Sequence, residues 1–293
     1  MKLKLLTLFV AFLVACPASW AGSIFLTGHD PDFHAFLGAN ATGARHINQA
    51  AIGFIQDPLF NPFVAGGVNK FLFVQSNITP PGGHTNGLNG IVASGFTAGT
   101  DFDQVNAFAL NTALDALGTS YSAIVVASDF GGILTQAELD ILNTRSGDII
   151  NFLNAGGGLY AMAEGNNGAG LTPGGGWFGF LPFVVSSTAF NVNEVGNTVT
   201  PFGASLGLTN ADANSNASHN IFQGTFGLDV VDIQPSGNIL SLAGRGQVVG
   251  GPGGGVTAPE FSGTLFGMPN FGWMAGLGFG LVGLALIRRR LQR

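Results

Sequence analysis

Residues 122–127 (SAIVVA) and 134–164 (LTQAELDILNTRSGDIINFLNAGGGLYAMAE) decide the fold class. The first is a continuous apolar run, the pattern of a strand covered on both faces. In the second, Thr135 and Glu138 stand three apart, the spacing of a capping box, and open a helix through Leu142. Residues 146–153 restart that helix, and the glycines at 156–158 lead into a further strand over 156–163. Strand, helix and strand in such close succession form the unit of a parallel sheet.

The same alternation extends toward the amino terminus. Residues 23–27 (SIFLT) read as a short apolar strand, 44–56 as a helix, and 70–75 (KFLFVQ) as a second buried strand. A loop around Pro80-Pro81-Gly82-Gly83 follows. Asp101 and Gln104 repeat the capping-box spacing and predict an amphipathic helix to Leu117, with Phe102, Val105, Ala109, Ala113 and Leu117 on its apolar face. The expected fold is therefore α/β, a doubly wound, mostly parallel sheet with right-handed crossovers. After Gly165 the pattern loosens into glycine triplets and Asn/Ser-rich segments, interrupted by short apolar runs at 183–185 and 228–231. This second half reads as irregular strands and long loops completing the same domain.

Both ends carry an address. Residues 271–287 are uncharged and mostly apolar, at the short end of what crosses a bilayer as a helix. Arg288, Arg289, Arg290 and Arg293 follow, and such a cluster prefers the cytoplasmic side, which leaves everything before it facing outward. At the front, Lys2 and Lys4 precede an apolar core over 5–15 and then Ser19-Trp20-Ala21, the layout of a secretory signal peptide. The expected organisation is a signal peptide (1–21), a body (22–249), a flexible linker (250–267) and a sorting or anchoring segment (268–293) with a transmembrane helix at 271–287. The body would lie on the periplasmic or extracellular side.

Charged residues make up 9% of the chain, against about 25% in an ordinary soluble domain. Only Arg45, Lys70, Arg145 and Arg245 are basic between the two ends, against 16 acidic residues, so the body carries a formal charge of −12. Such a body has no electrostatic footprint for DNA or RNA. Phenylalanine (26) far outnumbers tyrosine (2), which points to aromatics in a core rather than on a polar binding face. The one cysteine, Cys16, cannot close an internal disulfide. Its context, Leu13-Val14-Ala15-Cys16, resembles a bacterial lipobox, while Ser19-Trp20-Ala21 is an ordinary cleavage site.

The ends together, with Met268-Pro269-Asn270 before the glycine-rich span, resemble the PEP-CTERM class of exported bacterial proteins. Pro269 stands where that class has Pro-Glu-Pro. The resemblance implies a sorting tag built from Pro269, the span and Arg288, Arg289 and Arg290. It also implies a membrane partner of the exosortase type and a setting of extracellular polysaccharide. The stretch 134–164 and the order of elements around it resemble class I glutamine amidotransferase-like domains, which implies a flavodoxin-like body. In that family the turn after the glycine-led strand bears a nucleophilic cysteine. Ala163 holds that position here, between Met162 and Glu164, and alanine cannot form a covalent intermediate.

In open parallel sheets, ligands settle beyond the carboxyl ends of the strands. His29-Asp30-Pro31-Asp32-Phe33-His34, Gln75-Ser76, Ser128-Asp129 and Glu164 fall there. Two imidazoles and two carboxylates within the first cluster could bind a divalent ion or act as acid and base. Their spacing matches no specific metal motif, and no metal or cofactor is expected. His29, Asp30, Asp129 and Glu164 are the expected ligand-binding residues, with no catalytic set among them. The alternative is a surface hydrolase or sugar-processing enzyme that uses these four in one crevice. His84 and His219 are expected to be solvated in polar loops.

Overall fold

A computed structural model of the chain describes residues 22–76, 87–129, 134–162, 177–193 and 195–246. The expected signal peptide, the linker, the sorting segment with its span at 271–287, and the residues Ala163, Glu164, Pro269, Arg288, Arg289 and Arg290 lie outside them. Among the described residues no helix is long and apolar enough to cross a membrane.

The described part is a mixed α/β structure around one large sheet. Five strands, β1 (Gly22–Thr27), β2 (Phe71–Val74), β3 (Phe102–Val105), β4 (Ala123–Val126) and β5 (Gly158–Met162), pair in parallel in the order β3-β2-β4-β5-β1. The expected runs at 23–27, 70–75, 122–127 and 156–163 thus become β1, β2, β4 and β5. Every residue of these four is buried, which is why their sequences do not alternate. The first strand is not beside the second: β1 lies outside β5, next to the antiparallel half.

Helices cover both faces. On one face α5 (Ala107–Leu114), α6 (Gln136–Thr144) and α7 (Ser146–Asn154) contribute Leu110, Leu139, Ile149 and Leu153. These pack with the sheet residues Ile24, Leu72, Val126 and Leu159. On the other face α2 (Ala41–Ile55) and α4 (Gly87–Ala93) bring Ile47, Ile52, Ile55 and Ile91 against Phe25, Phe73, Val125 and Tyr160. Two short helices, α1 (Pro31–Leu37) and α3 (Pro62–Ala65), join these layers.

The helix expected from Asp101 to Leu117 is corrected. Its first residues form β3, the outer parallel strand, and the helix begins only at Ala107. The proposed apolar face mixes two environments. Phe102 packs with Phe71 and Phe73 on one side of the sheet, while Ala113 belongs to the core on the other side. Asp101 closes a turn by accepting from the Thr97 N–H at 2.7 Å, and the cap is Asn106, whose side-chain oxygen accepts from the Phe108 N–H at 3.1 Å. Asn106→Ala is accordingly expected to cost about 1 kcal/mol, read as a shifted urea midpoint of the full chain.

The second half is antiparallel. It holds β6 (Ser187–Asn193), β7 (Thr198–Val199), β8 (Ala217–Phe222), β9 (Asp229–Ile233) and β10 (Ile239–Gly246), with two short helices, α8 (Pro201–Ser205) and α9 (Asn210–Ala213). The run 228–231 enters β9, whereas 183–185 is not a strand; β6 starts at Ser187. The chain closes the sheet with β10, which lies antiparallel against β1 along its whole length, from Gly22↔Gly246 to Thr27↔Ser241. Beyond β10 come β8 and β6, and the pair β9 and β7 branches from β10.

Candidate functional site: an Asp-His-His cluster at the end of the first strand

Past Thr27 the first strand changes neighbours. The Gly28 N–H donates to the Leu240 carbonyl and the Gly28 carbonyl accepts from the His219 N–H, each at 2.7 Å. The chain approaches β8 so closely that a Cβ on residue 28 would lie 1.9 Å from the Asn220 carbonyl oxygen. His29 then bridges to Ser218. Successive residues of extended chain point to opposite sides, so this register sends His29 and Asp30 to different partners.

Asp30 precedes α1, with Pro31 at its first position. Its backbone carbonyl accepts from the N–H groups of Phe33 and His34, at 3.1 Å each, as expected of a residue at the start of a helix. Its side chain makes no capping bond. It turns instead toward two imidazoles: Oδ1 lies 3.1 Å from His34 Nε2, one helical turn on, and Oδ2 lies 3.2 Å from His219 Nε2 on β8. Asp30 is wholly buried, His219 nearly so, and the His34 side chain is 17% exposed. Burial pushes the Asp30 carboxyl up, but the His219 and His34 imidazoles outweigh it and bring it down to about 2. Burial pulls His34 down, and Asp30, helped by Asp32, more than reverses this and raises it.

His219 was expected in a solvated loop. It is a buried strand residue, brought to Asp30 by the sheet. Asp32, also buried, is held elsewhere: its two oxygens accept from the Ser128 N–H and hydroxyl, each at 2.9 Å. Burial and the neighbouring Asp30 raise its carboxyl to about 6, against the pull of the Ser128 donors. The carboxyl ends of β1 and β4 are thereby tied together. Asp129 follows Ser128 and is buried; Gln75, at the end of β2, is buried with neither side-chain amide atom hydrogen-bonded.

The expected grouping of His29 with Asp30 is corrected. His29 Nε2 lies 3.0 Å from Asp232 Oδ2, and its Nδ1 lies 3.1 Å from the Ser218 hydroxyl and 3.3 Å from the Ala217 carbonyl. Serine, histidine and aspartate in a row have the order of a hydrolytic triad. Ser218, however, is 0% exposed and His29 1%, so the row lies inside the protein, where it ties the end of β1 to β8 and β9. No family model, curated protein or solved structure matches the chain.

Of the three cluster residues, Asp30 is among those expected from the sequence to bind a ligand, while His34 stands only in the cluster around it. Asp30 and His34 stand four apart across Pro31, which is a usable helical signal. His219 carries no local signal, because its place depends on the pairing of β8 with the end of β1.

Proposed function

We propose that this chain is an exported protein of the cell surface or periplasm, held by a carboxyl-terminal segment that is both sorting tag and anchor. Its body, read as a doubly wound flavodoxin-like domain extended by antiparallel strands, is a noncatalytic binding domain that works among extracellular polysaccharide. The observation that carries the proposal is the address at the two ends: Lys2 and Lys4 before an apolar core, and an apolar span before Arg288, Arg289 and Arg290. The resemblance of the ends to the PEP-CTERM class supports an exosortase-type partner. Ala163 at the amidotransferase nucleophile position supports a noncatalytic body.

The hydrolase reading requires His29, Asp30, Asp129 and Glu164 to serve one crevice, and the commitment of His29 to Asp232 speaks against it.

Cell fractionation of the full chain, with an epitope inserted in the exposed turn after α3, tests the proposal. The body is expected in the envelope fraction and open to added protease in permeabilised cells. A body recovered from the cytoplasm overturns the reading. Arg288, Arg289 and Arg290 are costly to draw across a bilayer. Their replacement by glutamine is expected to weaken or misorient anchoring while the body stays folded. Mature surface protein lacking everything after about Pro269 supports the tag; an intact tail persisting on fully processed protein leaves a permanent anchor in place of sorting.

A further inference from the structure

We propose that Asp30, His34 and His219 bind one divalent transition-metal ion, with zinc as the representative, at the carboxyl end of the first strand. The inference concerns the body alone and stands whether or not the chain is exported or anchored.

The donor set is one carboxylate oxygen and two imidazole nitrogens, a combination that suits zinc and its neighbours rather than calcium or magnesium. One ligand atom from each of the three residues lies within 4.8 Å of the other two. A tetrahedral ion with bonds of about 2.0–2.1 Å keeps its ligand atoms about 3.3 Å apart. In the structure Oδ1 of Asp30 lies 3.1 Å from His34 Nε2 and Oδ2 lies 3.2 Å from His219 Nε2, so a small shift of one oxygen brings the three ligand atoms to that spacing.

The directions of these contacts add a second argument. Both oxygens of Asp30 are buried, yet neither is engaged in an aligned hydrogen bond, although an imidazole nitrogen lies near each. A carboxylate that served only to pair with histidine would draw an N–H straight onto an oxygen. It would also be spared the loss of its helix cap, which an aspartate before a helix ordinarily makes. A carboxylate buried this deeply needs positive charge beside it, and an ion between the three groups supplies it.

The sheet explains why sequence spacing shows no metal motif. Asp30 and His34 share one turn at the start of α1, and the third ligand arrives from β8 across the Gly28 contact. Three protein ligands leave a fourth position for water or a bound oxygen donor. His34 is the one partly exposed member of the three.

The test uses the full chain in detergent, stripped with a chelator, dialysed, equilibrated with zinc and freed of excess ion. Elemental analysis is expected to return one zinc per chain. Cobalt in place of zinc is expected to give the visible absorption of a four-coordinate site with imidazole ligands. His34→Gln, on a partly exposed helical position, is expected to weaken zinc binding at least about 100-fold, more than loss of an outer-shell partner does, with an unchanged circular dichroism spectrum. His219→Gln is expected to do the same. His46→Gln removes a separate, half-exposed histidine–carboxylate pair, His46 with Asp212, and is expected to leave binding unchanged. The proposal is overturned if the wild-type chain holds no zinc and gives no cobalt bands, if His46→Gln abolishes binding, or if folded His34→Gln and His219→Gln chains both keep the ion.

Discussion

The full chain carrying Asp232→Ala is expected to lose about 3–5 kcal/mol of stability, the cost of stripping one partner from a buried ion pair. Asp232 Oδ2 and His29 Nε2 lie 3.0 Å apart with side chains 4% and 1% exposed, so water cannot replace the lost oxygen. The Ser218 hydroxyl and the Ala217 carbonyl lie at the other nitrogen of the imidazole and do not replace the carboxylate. Urea denaturation of wild type and variant measures the loss. Replacing both members by leucine is expected to recover most of it, because the desolvation penalty leaves with the charges. A single-variant loss below about 1 kcal/mol, the scale of an ordinary neutral hydrogen bond, would show that His29 and Asp232 do not form an ion pair.

Gly28→Ala is expected to destabilise at or beyond the upper end of the about 1–3 kcal/mol typical of an overfilled interior. The new methyl would meet the Asn220 carbonyl, which is backbone within β8 and cannot rotate away. Moving it apart would break the Gly28–Leu240 and His219–Gly28 hydrogen bonds and draw His219 from Asp30. Gly53→Ala supplies the contrast. Gly53 lies inside α2 with open space where a methyl would go, so alanine is expected to stabilise by about 0.5–1 kcal/mol. Thermal unfolding of the two variants in parallel checks both signs. Equal effects would show that the Gly28 approach to β8 is not tight.

The parallel half of the sheet could be read from local sequence because burial on both faces writes an unbroken apolar run. FLFV and AIVV are of this kind, and each is wholly buried. The strand β3 could not, since FDQV is four residues long and its spacing continues smoothly into the following helix. Nor could β10, where Ser241, Gly244 and Arg245 interrupt the apolar pattern. Each has a tertiary reason: the Ser241 hydroxyl pairs with Thr27, Gly244 makes room for Leu228, and Arg245 stacks on Phe54 and Phe60. The site followed the same division. Position after a strand places Asp30 at the carboxyl end of β1, where the structure has it. The separation of His29 from Asp30, and the arrival of His219, depend on long-range register that no local pattern contains.

The pairing of β1 with β10 also sets an order of events. Among the described residues the first strand is completed by the last, and its other neighbour, β5, begins only at Gly158. Contacts between residues so far apart in sequence form late and slowly, because a long loop must close before they repay its entropy. Until residue 246 is present, β1 has one edge bare, and bare strand edges invite wrong partners. A body built this way cannot settle piece by piece as it is made. Its sheet is finished from the far end of the sequence, because β1 gains its second neighbour only with residues 241–246.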